Sequence, residues 1–161
     1  MRDLLTAVVR STVVVRHQAV TLFRLSQFLG QIFPPLGFAV KQLNHILTGA
    51  DLAWQANVGD GLVLHHPTGV VWGPGIRIGN RCRVQQGVTI GGRGGGHHDG
   101  SPSIGDDVNL SAGCRVLGPI TLGDRVLVGA NAVVTRSHGD NATLVGVPAR
   151  PLARNTSTFP N

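Results

Sequence analysis

A six-residue repeat constrains this chain more than any other feature. Ile104, Leu110, Val116, Leu122, Val128 and Val134 follow one another at intervals of six without a break. Ile, Leu and Val make up 45 of the 161 residues, so six aliphatics in six places arise by chance about once in two thousand trials of one register. The position after each is often small (Gly105, Ser111, Gly123, Gly129). The fourth position after, Val108, Cys114, Ile120, Val126 and Ala132, is small or aliphatic. Upstream the same frame runs through Ile78, Val84 and Ile90. Before them it passes Leu52, Val58 and Leu64, with a two-residue slip near Val70 to Trp72.

Each hexapeptide is one short flat strand and one tight turn, and three of them make one triangular coil. The aliphatic points into the prism, and the small residue leaves room at the corner. A sandwich would alternate with period two and would leave the glycine phase unexplained. Composition agrees: 23 glycines, no tyrosine and few aromatics suit many tight turns around a narrow interior. Both cysteines, Cys82 and Cys114, take the fourth position and are therefore expected inside as small hydrophobes. The expected fold is mainly β, a parallel β-helix of hexapeptide repeats preceded by two N-terminal α-helices. Its parts are a helical segment at 1–50, the β-helix at 51–139 with an inserted loop at about 93–103, and an extension at 140–161.

Within the first part, Val9, Val13, Val20, Phe23 and Leu29 recur at helical spacing from Leu4 to Leu29. Gly30 and Pro34-Pro35 then break the chain, and Leu36 to Leu47 reads as a second helix closed by Gly49. Such amphipathic helices pack against the same or a neighbouring subunit, with a membrane surface as the second reading. Arg2, Arg10, Arg16 and Arg24 interrupt the apolar runs, so no membrane span is expected. No signal peptide is read, and two cysteines do not suggest a secreted disulfide scaffold, so a cytoplasmic location is expected. The net charge of +6 is carried by scattered arginines without a dense run. Nucleic acid is therefore not expected, and a polyanionic cofactor such as a CoA thioester fits better.

Chemistry belongs where the repeat is interrupted. Between Ile90 and Ile104, 14 residues replace six, and the excess is a glycine-rich loop, Gly91-Gly92-Arg93-Gly94-Gly95-Gly96-His97-His98-Asp99-Gly100. It lacks the ending and the strand-to-helix context of a P-loop. Adjacent histidines in a flexible loop do not suggest a closed metal site, so a substrate-covering loop is expected and a metal is not. The second interruption is Leu64-His65-His66-Pro67-Thr68-Gly69, with Asp51 a little less than one coil before His66. In a coil of three hexapeptides that spacing nearly returns to the same corner one layer away. Asp51 could then accept a hydrogen bond from His66 and leave its other nitrogen as a base; a solvated surface histidine fits the spacing equally well.

At these residues the chain resembles the hexapeptide-repeat acetyltransferases, in particular the serine acetyltransferase branch and its relatives in polysaccharide O-acetylation. The resemblance spans about residues 36 to 152. It rests on Gly49-Ala50-Asp51-Leu52, His65-His66-Pro67-Thr68-Gly69, Gln86-Gly87-Val88-Thr89-Ile90-Gly91-Gly92, Val116-Leu117-Gly118-Pro119-Ile120 and Gly146-Val147-Pro148-Ala149-Arg150. It implies a left-handed β-helix, a homotrimer or dimer of trimers, and acetyl-CoA in a groove between neighbouring subunits, with His66 as catalytic base and Asp51 as its orienting carboxylate. Backbone amides near Gly91 and Gly92 are candidates for holding the oxyanion. Ala112, Gly113, Gly129, Ala130 and Arg150 resemble the family's CoA-contacting region.

Three departures bear on the acceptor. Serine acetyltransferases carry Asp where this chain has His65, and Arg-His where it has Gly100-Ser101. The family uses those groups to hold the two ends of serine, so the complementary charge for a zwitterion is lost here. The tail Asn155 to Asn161 ends in Asn and not the family's terminal Ile, so a complex with cysteine synthase is not expected. His65, His97, His98 and Asp99 are the candidate acceptor contacts. The expected function is an acetyl-CoA-dependent O-acetyltransferase acting on serine or a serine-like small molecule. A sugar or polysaccharide precursor is the alternative acceptor, and a noncatalytic β-helix scaffold or binding module the alternative of another class.

Overall fold

The computed structural model describes residues 15–92, 94 and 100–152. Two helices, α1 (Val15–Ile32) and α2 (Pro34–Thr48), lead into a stack of two- and three-residue strands on three faces. The first face holds β1 (Asp51–Leu52), β4 (Val71–Trp72), β7 (Thr89–Gly91), β10 (Arg115–Leu117) and β13 (Val133–Val134). On the second lie β2 (Asn57–Val58), β5 (Arg77–Ile78), β8 (Ser103–Ile104) and β11 (Thr121–Leu122). The third carries β3 (Val63–Leu64), β6 (Arg83–Val84), β9 (Asn109–Leu110), β12 (Leu127–Val128), β14 (Thr143–Val145) and β15 (Arg150–Pro151). All pairings are parallel except that of β15, which folds back on β14.

Register confirms the repeat. Val71 pairs with Thr89, Ser103 with Thr121 and Asn109 with Leu127, each three hexapeptides further along the chain. Every aliphatic of the repeat is buried, from Leu52 to Val134, and Cys82 and Cys114 are fully buried beside them. The inserted loop lengthens one coil, so that Thr89 finds its next partner only at Arg115. The two-residue slip lies earlier than the spacing suggests. His65 N–H donates to Val84 O and Gly87 N–H to Thr68 O, so 65–68 span what 85–86 span below, and the extra residues are His66 and Pro67. Aliphatic spacing could not see this, because an insertion in a turn leaves the next inward residue, Trp72, in phase with its own strand.

The edge between the second and third faces, here the aspartate edge, explains the glycine phase. Asn80 Oδ1 accepts from the Asp60 amide, Asp106 Oδ1 from Asn80, Asp124 Oδ1 from Asp106 and Asp140 Oδ1 from Asp124. Each side chain reaches up one coil into space vacated by a glycine: a Cβ at Gly59 would stand 2.6 Å from Asn80 Oδ1, and the clash recurs at Gly79, Gly105 and Gly123.

The helices close the top of the coil. α2 begins on Pro34, whose missing N–H costs nothing in a first turn, after an extended Phe33 (φ −147°, ψ 99°). The prolines therefore start the second helix, while Gly30 lies within α1, against Trp54. Gly49, at φ 74°, ends α2 and donates to His45 O at 2.9 Å. Phe23 of α1 meets Trp72 edge-on, ring centroids 5.2 Å apart. Gln27 Nε2 donates to Ala56 O (2.7 Å), and Arg24 donates to Val58 O (2.7 Å) and Gly59 O. These carbonyls belong to the open edge of the first coil, which would otherwise be a template for pairing. The part of the expected first helix from Leu4 to Val14 lies outside the described residues.

Candidate functional site

His66 projects from the edge joining the third face to the first, here the histidine edge. Two extra residues in a turn that elsewhere needs two must bulge outward; His65 and His66 are exposed and Pro67 is buried beneath them. The edge below is a column of left-handed residues, Gly69 (φ 72°), Gly87 (67°), Gly113 (69°) and Asn131 (56°), each donating its amide to the coil above. A second bond fixes its middle, from the Ala112 amide to Gln85 Oε1 at 2.9 Å. Coils stack about 4.8 Å apart, so Ala112-Gly113 and Gly129-Ala130 lie under His66 over about 14 Å. Arg150, paired with Val145, ends the same column. These five expected cofactor residues and His66 thus share one edge.

Asp51 opens β1 one layer above, its amide donating to Val70 O at 2.8 Å. Its carboxylate is ion-paired with Lys41 of α2. The lysine side chain is 18% exposed and the aspartate 37%. Among the described residues no hydrogen bond joins Asp51 to His66. Sequence reasoning passes over Lys41, although a signal exists. It is the only lysine and falls on the same helical stripe as Gly37, Asn44 and Thr48, the buried side of α2.

Gly91 and Gly92 sit elsewhere, where the first face turns into the second. Gly91 closes β7, its carbonyl accepting from Gly118 at 2.9 Å. A face five residues wide spans about 16 Å, so within one chain these amides do not reach His66. His97, His98 and Asp99 lie outside the described residues. A concavity of about 490 Å³ on the third face is lined by Val63, Arg81, Arg83, Asn109 and Leu127 among others, and His66 is not part of its lining. There Arg81 pairs with Asp107 at 2.6 Å and holds its carboxyl below the usual range. Asp106 is held low chiefly by the Asn80 amide.

Two stretches match models of known repeats: residues 101–136 the bacterial transferase hexapeptide, and residues 68–91 the hexapeptide repeat of succinyl-transferase. A serine acetyltransferase of Synechococcus elongatus is 34% identical over 139 residues, 86% of this chain and 57% of its own length. The crystal structure of Neisseria gonorrhoeae serine acetyltransferase in complex with serine superposes with a TM-score of 0.77 at 35% identity, covering 83% of this chain and 55% of that one. A serine acetyltransferase in complex with CoA gives a TM-score of 0.77 at 31% identity, over 83% and 55%. The chain spans a little over half the length of these relatives. The likeness identifies the coil as the left-handed β-helix of those enzymes. With its inward aliphatics, three-hexapeptide register and two matched repeat stretches, the chain belongs to the hexapeptide-repeat family and is a relative of the serine acetyltransferases in sequence and fold.

Proposed function

We propose that this chain is an acetyl-CoA-dependent O-acetyltransferase of the serine acetyltransferase type, with His66 as its general base. The observation that carries the reading is the two-residue bulge that lifts His66 out of an otherwise regular edge, directly above the turn column of Gly87, Gly113 and Asn131. Relatives over most of this chain bear that activity in their names, and one was solved with CoA. In the proposed reaction an imidazole nitrogen of His66 takes the proton of the acceptor hydroxyl as its oxygen attacks the thioester carbonyl. The tetrahedral intermediate then collapses, the C–S bond breaks, and the imidazolium returns the proton to the CoA sulfur. Asp51 keeps negative charge near the imidazolium, and Lys41 fixes where that carboxylate stands. The turns at Ala112-Gly113 and Gly129-Ala130 offer backbone to the cosubstrate, with Arg150 for a phosphate. Gly91 and Gly92 can serve His66 only from a neighbouring copy, which fits a homotrimer with its site between subunits.

The acceptor is a small hydroxyl compound. With His65, Gly100 and Ser101 where serine acetyltransferases carry charged groups, a sugar hydroxyl competes with serine for that place. Acetyl-CoA consumption measured across serine, other amino acids, sugars and nucleotide sugars tests the reading. His66→Ala is expected to lower turnover by a factor on the order of hundreds while leaving the assembly intact; unchanged transfer in that variant would remove the mechanism.

A further inference from the structure

One arginine of the third-face concavity is unengaged. Arg81 donates from Nε and Nη2 to Asp107, at 2.8 and 2.6 Å. Arg125 donates from Nε to Asn141 Oδ1 at 2.9 Å, with Asp140 3.8 Å from its Nη2. Arg83, exposed on β6, has no side-chain hydrogen bond or ion pair among the described residues. Asp107 is held low first by its hydrogen bond to Arg81, and the charges of Arg125 and Arg83 lower it further. Asp106 and Asp140 turn their Oδ1 atoms to the amides of the coils above. The lining therefore sets three guanidiniums against the single carboxylate of Asp107. An arginine left without an anion in such a place is suited to phosphate oxygens, which its planar fork can take in pairs.

The rest of the ladder suits a sugar. Asn109 pairs with Arg83 one layer down, and its Oδ1 is covered and without a hydrogen-bond partner among the described residues. A covered acceptor without a donor is unfavourable, and the end torsion of an asparagine is soft, so a ligand hydroxyl can engage it. Val63 above Arg83 and Leu127 below Asn109 are apolar, the leucine 39% exposed, and offer contact to the carbon face of a ring. His66 follows Val63 by three residues, at most about 11 Å along the chain, with the exposed His65 between them. His66 is outside the lining, so a ligand held at both places carries its charge well away from the reacting hydroxyl. A sugar phosphate does so across its ring; serine, with two carbons between hydroxyl and carboxylate, does not.

We propose that the third-face concavity is a phosphate subsite for the acceptor, with Arg83 taking the phosphate oxygens, and that the acceptor is a phosphorylated sugar. The proposal rests on the acetyl-transfer reading of His66. Phosphorus NMR of inorganic phosphate with the full chain tests the subsite. The resonance is expected to broaden, and Arg83→Gln to weaken binding about tenfold or more with an unchanged melting curve. Arg77→Gln, which removes the same charge from the second face, is expected to leave phosphate binding unchanged. Acetyl-CoA consumption tests the acceptor, with glucose against glucose 1-phosphate and N-acetylglucosamine against UDP-N-acetylglucosamine. The phosphorylated member of at least one pair is expected to have the higher kcat/KM, by about tenfold or more, and Arg83→Gln to erase that difference at an unchanged acetyl-CoA KM. No phosphate binding, equal losses in the two arginine variants, equal turnover within both pairs, or transfer to serine alone would each overturn the proposal. So would a raised acetyl-CoA KM in Arg83→Gln, which would assign the phosphate to CoA. Phosphate bound through Arg83 with no transfer to any acceptor, serine included, would remove the acetyl-transfer reading and the acceptor assignment with it.

Discussion

Lys41 and Asp51 meet where the helical pair joins the coil, and among the described residues this pair is the one ionic link from α2 to the proposed site. A half-covered carboxylate beside an ammonium has fewer orientations than a solvated one, so the pair acts on Asp51 chiefly through position. Lys41→Met is expected to reduce kcat by roughly tenfold with little change in the acetyl-CoA KM, and Lys41→Arg to recover most of the loss. Steady-state kinetics of the two variants checks this; a change in KM alone would assign Lys41 to binding. The cysteines give a second test at this scale. Burial pushes the Cys114 thiol up to about 12 and raises that of Cys82. Neither is expected to react with a thiol reagent at about pH 8 in the folded chain, and both should react once it is unfolded in denaturant. Reaction of one in the native state would show an opening of the coil at that layer.

Among the elements, the aspartate edge works as one unit, because each carboxylate or amide serves the backbone one coil above. Asp106 and Asp107 both titrate below the usual carboxylate range, the first held by the Asn80 amide and the second by the Arg81 guanidinium. A carboxyl lowered on folding contributes stability above its unfolded pKa, and that contribution is lost as pH falls through the lowered folded value. The urea midpoint is therefore expected to fall below about pH 4, and Asp106→Asn to flatten that fall while lowering the neutral-pH midpoint. A steeper acid loss in the variant would contradict the assignment. The histidine edge shows the opposite use of a turn. Its bulge leaves the ladder intact at His65 and Thr68 and frees His66 and Pro67 between them. The spacing of Asp51 and His66 is legible in the chain itself, and so is the loop at 91–100. Aliphatic phase reveals the slip but sets it a few residues late, since only backbone pairing distinguishes a long turn from a shifted strand.

At the scale of the molecule, a β-helix is a column whose end coils have unpaired backbone on one side, so its stability depends on caps. α1 supplies the upper cap through Phe23, Arg24 and Gln27, and β15 folds back over β14 at the lower end. Arg24→Ala is expected to cost about 1.5–3 kcal/mol, the range for hydrogen bonds from a charged donor. Denaturant unfolding checks it, and a loss well below that range would mean that water replaces the guanidinium at the Val58 and Gly59 carbonyls. The repeat, the inward column, the buried thiols, the two helices and the pairing of Asp51 with His66 as candidates can all be read from the sequence. They depend on periodicity and spacing, which the chain carries locally. Three things required the tertiary structure: the partner of Asp51, the separation of Gly91 and Gly92 from the histidine edge, and the gathering of Arg81, Arg83 and Arg125 in one concavity. Each depends on which residues from distant coils or helices meet. A six-residue period sets the phase of a residue within its coil, but not what α2 lays beside it.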